Sequence, residues 1–308
     1  MSGFKVGVVD VLPIAEVDQW ITDIAYHYRN LDVAAIRRCA DWLDERTFER
    51  STGKFIQSIS TFLLRTPESV ILVDTAVGNH KERPSQPAWH RLETDYMRRL
   101  RAAGVAPADV DIVLLSHLHA DHVGWNTRLE QGYWVPTFPK AKYLMVGMEY
   151  EYWAEKFSSD KEICRGSFAD SVVPIVSANM QRFVEVDHVL RDEPDGRIYL
   201  EHLPGHSIGN VLVHIEAPGT HLVLGADLFN HPVQVALPYL QLFMDYDADL
   251  ALKNRYATIE RYRDTDTIIL PTHFPSPVGG RIVTVGDKMR FVFVDPSELT
   301  NLASRQDQ

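Results

Sequence analysis

Four side chains that can bind a metal ion occur within six residues of the sequence, at positions 117–122. This segment reads HLHADH and directly follows the apolar run DIVLLS, which predicts a buried strand at 111–116. Residues two apart on an extended chain point to the same side, so His117 and His119 can converge on one point. Imidazole and carboxylate are ligands of zinc and similar divalent ions. The segment therefore predicts a metal site at a strand end; an exposed polar turn is the alternative.

Three later residues occupy the same kind of position. His206 follows the predicted strand 197–203, Asp227 follows the predicted strand 221–225, and His273 comes shortly after the apolar run IIL at 268–270. Each of them alone would more often be a structural residue. Because open α/β folds gather the residues that follow strand ends at one rim of a sheet, the set predicts a shared site.

Composition and charge exclude several other classes of protein. The 308 residues carry a formal net charge of −11, which disfavours broad binding to nucleic acid or to an anionic membrane. The apolar runs are too short for a transmembrane helix, and the start MSGFKVGVVDVLP lacks the pattern of a secretion signal. With only Cys39 and Cys164 present, no disulfide framework is expected, and we expect a cytoplasmic location.

No repeat or flexible linker divides the chain, so we predict a single domain over residues 1–308. A helical segment at about 15–50 is expected to be a cap over the site or a dimer surface. Apolar patterns predict strands at 4–12, 55–64, 69–75, 111–116, 141–146, 182–186, 197–203, 210–216, 221–225, 267–270, 281–285 and 290–294. They predict helices at 32–49, 88–103, 147–157, 167–180 and 248–261. This mixture indicates a layered α/β architecture.

The combined pattern resembles that of the metallo-β-lactamase superfamily of binuclear metallohydrolases. The resemblance rests on His-x-His-x-Asp-His at 117–122, Gly-His at 205–206, Gly-x-Asp at 225–227 and His273, within a similar region of about 55 to 295. It implies an α/β fold of the four-layer αββα type, in which two packed mixed β-sheets are flanked by helices.

The resemblance also implies a role for each ligand. His117, His119 and His206 would bind a first divalent ion, Asp121, His122 and His273 a second, and Asp227 would bridge both. Two zinc ions are expected, with manganese, cobalt or iron as alternatives, and a hydroxide that bridges them would attack the substrate. Asp121 would also orient this nucleophile and pass a proton to the leaving group. Asp74 is expected to support a ligand imidazole, or else to cap its strand.

Within the superfamily, the segments 121–126, 227–234 and 272–275 look most like N-acyl homoserine lactonases and methyl parathion hydrolase-like enzymes. One position departs from the lactonases, which carry a carbonyl-polarising tyrosine where this chain has Asn230. Asn230 or His231 is the candidate replacement donor. Trp125, Phe229 and Phe274 are candidate pocket walls, with Trp89, Trp134 and Phe138 as further candidates. Packing in the core is the alternative for each aromatic residue.

These features predict a hydrolase of lactones or esters that acts on a small apolar substrate, without nucleic-acid or membrane partners and with a homodimer as an option. Two alternatives use the same ligands. One is a phosphotriesterase or phosphodiesterase, because a two-metal site can clamp attacking and leaving oxygens. The other is a mononuclear-iron oxidoreductase of the persulfide dioxygenase type.

Overall fold

Two packed β-sheets form the centre of the molecule. The structure is a computed structural model that describes residues 3–276 and 278–295, so the ends of the predicted domain lie outside the described residues. The first sheet contains β1 (Phe4–Val6), β2 (Val9–Thr22), β3 (Phe48–Glu49), β4 (Lys54–Arg65), β5 (Val70–Val73), β6 (Ile112–Leu114), β9 (Lys142–Val146) and β10 (Gln181–Val184). The second contains β11 (Val189–Arg191), β12 (Arg197–His202), β13 (Val211–Ala217), β14 (Thr220–Leu224), β15 (Ile268–Leu270), β16 (Gly280–Val285) and β17 (Lys288–Phe293).

The strand order of each sheet decides which strand ends meet. The first sheet runs β1-β2-β4-β5-β6-β9-β10, with β3 beside β4, and the second follows chain order from β11 to β17. A separate hairpin is formed by β7 (Thr127–Glu130) and β8 (Tyr133–Pro136). The pairs β5–β6 and β14–β15 are parallel, and β12 runs in the direction of β14 because both pair antiparallel with β13. The carboxyl ends of these strands therefore lie at common edges.

Apolar side chains from both sheets form the main core. Phe62 and Val73 of the first sheet belong to the same buried cluster as Val213 and Leu224 of the second. A second cluster lies on the outer face of the first sheet, where Leu63 and Leu72 meet helical side chains such as Leu100. Burial of each large apolar side chain contributes roughly 1.5–3 kcal/mol, so these two layers stabilise the stacking of sheet on sheet and helix on sheet.

Helices cover the outer faces. They are α1 (Val33–Cys39), α2 (Tyr96–Ala102), α3 (Gly147–Ser159), α4 (Val173–Ser177), α5 (Val233–Ala236) and α6 (Ala248–Tyr262). The predicted arrangement of two mixed sheets flanked by helices is confirmed. Among the described residues, no helix is both long and apolar enough to cross a lipid bilayer.

The prediction of a helical segment at about 15–50 is wrong for most of its length. Residues 9–22 form the long strand β2, and only Val33–Cys39 is α-helical. The pairing of β2 with β4 shifts register between Ala15 and Val17 and again between Val17 and Trp20. Each shift changes which side chains face the core, so the alternation typical of a strand is interrupted and the sequence does not show it.

Candidate metal centre

The seven predicted ligands come together at one edge of the two sheets. Three groups place their ligand atoms within 4.8 Å of one another: His117 with His119 and His206, His117 with His122 and Asp227, and Asp121 with His122 and His273. We call these seven residues the ligand cluster. The segment 117–122 follows β6, while His206, Asp227 and His273 follow β12, β14 and β15. The fold thus joins one local motif to three distant residues because their strands end together.

Asp227 lies between the two predicted halves of the cluster. The first half consists of His117, His119 and His206, and the second of Asp121, His122 and His273. Its Oδ1 is 3.1 Å from His122 Nε2, and its Oδ2 is 3.3 Å from His206 Nε2 and 3.2 Å from His273 Nε2. Burial opposes ionisation of this carboxyl, but His273, His122 and His206 outweigh that effect and hold its pKa well below the usual value. Asp227 is therefore ionised at neutral pH and faces histidines of both halves.

Asp74 supports the cluster from the end of β5. Its backbone has a φ of 60°, a conformation that is uncommon for residues other than glycine. In this conformation its carboxylate accepts hydrogen bonds from Ser116 N–H and Ser116 Oγ–H, each at 2.8 Å, and lies 2.8 Å from His122 Nδ1. The contact between His122 Nδ1 and Asp74 orients the imidazole ring so that Nε2 faces Asp227.

Two further supports could not be seen in the sequence. His206 Nδ1 lies 3.0 Å from Asp245 Oδ1, and His273 Nδ1 lies 3.1 Å from the carbonyl oxygen of Ser58. Each contact fixes the ring so that Nε2 faces the cluster. Asp245 is 3% exposed and lies almost forty residues along the chain from His206, so no local pattern connects them.

Glu149 is a third such support. It is buried, and its carboxylate accepts hydrogen bonds from Leu118 N–H at 3.1 Å and from Gly209 N–H at 2.7 Å. Trp153 Nε1–H donates to the same carboxylate at 2.7 Å. Because Leu118 and Gly209 belong to the loops that carry His119 and His206, Glu149 fixes these two loops relative to each other.

The donor atoms fit divalent metal ions. His117 Nε2 is buried and has no hydrogen-bond partner in the part of the chain that the structure describes. His122 Nε2 and Asp227 Oδ1 lie 3.1 Å apart but are not aligned for a hydrogen bond with each other, and no other described group pairs with them. Leaving such atoms unpaired costs roughly 1–3 kcal/mol each, so a ligand is expected to satisfy them. Burial, and then the neighbouring imidazoles, hold the pKa values of His117 and His119 well below the usual range, which leaves their lone pairs free at neutral pH.

A cavity of about 240 Å³ opens above the ligand cluster. Its floor includes His119, Asp121, His206, Asp227 and His273, and its sides are largely apolar. Four aromatic and two aliphatic side chains line it, and together we call them the aromatic wall: Trp20, Tyr26, Trp89 and Phe243, with Leu242 and Met244. Trp20 and Tyr26 come from the segment 15–50, so this segment contributes to the wall although strand β2 and not a helix forms its first part.

Three predicted wall residues pack elsewhere. Phe229 and Phe274 belong to the core between the sheets, and Phe274 makes an edge contact with Phe291 at 4.8 Å between ring centroids. Trp125 stacks on Tyr96 and donates from Nε1 to Glu16 Oε1 at 2.6 Å. Their proximity in sequence to the ligands is misleading because the chain enters the core directly after each motif. Of the further candidates, Trp89 does line the cavity.

The two residues predicted to donate a hydrogen bond to the substrate carbonyl lie in different surroundings. His231 is fully buried, stacks on Phe55 with ring centroids 3.7 Å apart, and contacts the carbonyl oxygen of Thr47 at 2.9 Å, so the prediction that it binds substrate is wrong. Asn230 lines the cavity. Its Oδ1 accepts a hydrogen bond from Gln57 Nε2 at 2.6 Å, while its amide N–H groups have no hydrogen-bond partner among the described residues.

Among the described residues that line the cavity, Arg165 is the only arginine or lysine. It lies beside Cys164, and both have positive φ, 58° and 52°. Arg165 Nη1 donates to Ser85 Oγ at 3.2 Å, and its guanidinium lies 5.7 Å from the centroid of Trp89. Neither the strained backbone nor this position could be predicted from the sequence.

Comparison with known proteins gives one family. A sequence profile described as the metallo-beta-lactamase superfamily matches residues 57–273. The chain is 31% identical over 103 residues to the N-acyl homoserine lactonase AttM of Azorhizobium caulinodans, which covers 30% of this chain and 35% of AttM. It is 35% identical over 78 residues to the N-acyl homoserine lactonase AiiB of Agrobacterium fabrum, covering 21% and 28%. These matches span about a third of the relatives' length.

Solved structures share the fold over nearly the whole chain. The hydrolase AbOPH of the beta lactamase superfamily superposes with a TM-score of 0.76 at 18% identity, covering 96% of this chain and 97% of that one. AidC, a dizinc quorum-quenching lactonase, superposes with a TM-score of 0.75 at 19% identity, covering 95% and 98%. The arrangement of sheets and helices described above is thus that of these hydrolases.

Proposed function

The chain belongs to the metallo-beta-lactamase superfamily, and from this premise we propose that it is a hydrolase of lactones or related carboxylic esters that uses two divalent ions, with zinc as the expected metal. The observation that carries the proposal is the convergence of seven ligands beneath a cavity with a largely apolar wall. The lactonases named among its relatives support the choice of substrate class.

The ligand cluster divides into two sets in this proposal. His117, His119 and His206 would hold one ion, and Asp121, His122 and His273 the other, with Asp227 in contact with both. Ions bound there would supply an activated water at neutral pH and polarise the substrate carbonyl. The contacts of Asp74, Asp245 and Ser58 with the ligand rings support this assignment because they fix each ring for ligation.

The remaining chemistry belongs to side chains of the cavity. Asp121 lines the cavity, and its Oδ2 lies 3.6 Å from His273 Nε2. We assign to it the transfer of a proton from the attacking water to the leaving oxygen. The free amide N–H groups of Asn230 would donate a hydrogen bond to the substrate carbonyl, since Gln57 already occupies its oxygen. The aromatic wall would bind an apolar acyl group.

The proposal is tested with the full chain loaded with zinc or manganese and assayed on a series of acyl lactones and aryl esters. We expect ring opening of the lactones, loss of activity in His119→Ala, and unchanged activity in the matched control His80→Ala, an exposed histidine outside the cavity. Absence of hydrolysis on this series with two metal equivalents bound would sink the proposal. Hydrolysis of phosphotriesters alone would establish the phosphotriesterase alternative. A single bound iron together with persulfide-dependent oxygen uptake would establish the persulfide dioxygenase alternative.

A further inference from the structure

A second group of metal-capable side chains lies on the hairpin formed by β13 and β14. In the described part of the chain, His214, Glu216 and His221 are the one such group outside the ligand cluster, and their ligand atoms lie within 4.8 Å of one another. Glu216 and His221 are directly opposed across the hairpin, and His214 precedes Glu216 by two residues. The three side chains therefore project from the same face of the sheet.

The separations in this group resemble those in the ligand cluster. His214 Nδ1 lies 2.9 Å from His221 Nε2, and His221 Nε2 lies 3.4 Å from Glu216 Oε1. In the ligand cluster, the corresponding separations are 2.9 Å between His119 Nδ1 and His206 Nε2, and 3.3 Å between His206 Nε2 and Asp227 Oδ2. Ligands about 2.0–2.2 Å from a tetrahedral zinc ion lie roughly 3.3–3.6 Å apart. The separation of 3.4 Å between His221 Nε2 and Glu216 Oε1 fits this spacing, whereas the separation of 2.9 Å in each of the two groups is about 0.4 Å shorter, so the nitrogens would move apart slightly on binding an ion.

Oxygen atoms face the outer nitrogens of both rings. His214 Nε2 lies 2.9 Å from Glu201 Oε2, and His221 Nδ1 lies 3.2 Å from Thr267 Oγ1. A carboxylate or hydroxyl near the outer nitrogen is typical of metal-binding histidines. Thr267 lies within hydrogen-bond distance of His221 Nδ1, whereas Glu201 lies close to His214 Nε2 without the alignment of a hydrogen bond. His214 Nδ1 and His221 Nε2 are thus the atoms directed inward.

The group is accessible from solvent on one side. The side chain of His214 is 2% exposed, whereas those of His221 and Glu216 are 25% and 36% exposed. An ion could enter from this side and complete its coordination with water. His221 lies near the start of β14, and Asp227 follows the other end of that strand, so the two groups do not share a ligand.

We propose that His214, Glu216 and His221 form a separate site for a divalent transition-metal ion, of which zinc suits two imidazoles and one carboxylate best. The site would cross-link the two strands of the hairpin and stabilise the folded chain by the free energy of ion binding. It does not depend on the proposed function. The competing arrangement is a metal-free one in which His214 and His221 are hydrogen-bonded to each other, His221 contacts Thr267, and Glu201 lies beside His214.

The experiment titrates the chelator-treated full chain with zinc alone, in competition with a chromophoric chelator at micromolar concentration. We expect His221→Ala and Glu216→Gln each to bind one zinc equivalent fewer than the wild type, and the control His80→Ala to bind the wild-type number. In an Asp227→Ala background, one equivalent should remain and should disappear when His221→Ala is added. Circular dichroism verifies folding, and the more exposed Glu216→Gln decides the question if His221→Ala does not fold.

Equal zinc content in the two hairpin variants and in His80→Ala would overturn the proposal, as would binding only at millimolar zinc. Hydrolytic activity should be unchanged in the hairpin variants once the ligand cluster is loaded. Loss of one equivalent together with no hydrolysis by any form would refute the proposed function and leave the hairpin site standing.

Discussion

The floor and the wall of the cavity are built in different ways. The floor is the ligand cluster, whose residues follow strand ends and are held by buried contacts such as that of Asp74 with His122. The wall comes from separate segments, with Trp20 on β2, Trp89 in a loop and Phe243 in another. Phe243 is 53% exposed, whereas His122 is fully buried. Under the proposed function, the floor would therefore determine the chemistry, while the wall would determine which substrates reach it.

Removal of a floor ligand should have the largest effect. We expect Asp227→Ala to lose bound metal and more than about 1000-fold in kcat/KM, because it removes the carboxylate that contacts both halves of the ligand cluster. Metal content and kinetics on the same preparation check this. Full metal occupancy with near-normal activity would show that the floor does not depend on Asp227.

Removal of a contact that supports a floor ligand should reduce metal binding less than removal of the ligand itself. Asp74→Asn keeps the shape of the side chain but weakens its support of His122, so zinc affinity should fall about 10–100-fold. A chelator competition assay measures this. The matched control is Asp109→Asn, an exposed aspartate whose carboxylate accepts a hydrogen bond from Ala106 N–H. Equal affinity in the two variants would mean that Asp74 only caps its strand.

The stability of the folded chain should depend on pH through His231. Its ring stacks on Phe55, which belongs to the same apolar cluster as the wall residue Leu242, and burial lowers its pKa from 6.5 to about 3. The unfolded chain therefore binds more protons than the folded chain between these values, so the stability is fully present above pH 6.5 and is lost as pH falls toward 3. From pH 7.5 to pH 5 this residue alone should cost the folded state about 2 kcal/mol.

Urea unfolding of wild type and His231→Gln at both pH values measures this contribution. The variant should be less stable at pH 7.5, because it disturbs the stacking on Phe55, and should lose about 2 kcal/mol less on acidification. Identical losses in the two proteins would show that His231 is not held neutral by its surroundings.

A change in the wall should have the smallest effect and should depend on the substrate. Phe243→Ala removes an apolar contact worth about 1 kcal/mol, so KM should rise roughly fivefold for long acyl chains with little change in kcat or in metal content. Tyr133→Ala, which alters an exposed aromatic residue of β8, is the control. A uniform loss across all chain lengths would place Phe243 in the chemistry instead of in specificity.

The fold was predictable where a strand or helix is regular. The strand predicted at 55–64 is Lys54–Arg65, and the helix predicted at 248–261 is Ala248–Tyr262. The N-terminal strand β2 was predicted only as far as residue 12, because two register shifts between Ala15 and Trp20 break its alternation beyond that point. The hairpin β7–β8 was also missed; each of its strands has four residues and only Thr127 is buried, so no buried face imposes a pattern on the sequence.

The candidate site was predictable to a similar degree. The sequence named all seven side chains that the structure brings together in the ligand cluster, because each stands shortly after an apolar run. Trp125, Phe229 and Phe274 were assigned to the wall only because they neighbour those ligands in sequence, and they pack in the interior. Asp245, Glu149 and Arg165 were missed, since each acts on residues far away along the chain.

Residue types and short-range periodicity were sufficient to identify the metal-capable side chains and the strands that precede them. The surroundings of these side chains depend on long-range packing: Asp245 lies behind His206, Gln57 lies beside Asn230, and the wall comes from distant segments. The tertiary structure also places His214, Glu216 and His221 on one face of a hairpin. These contacts arise from strand pairing and loop packing between distant segments, and no local pattern encodes such pairings.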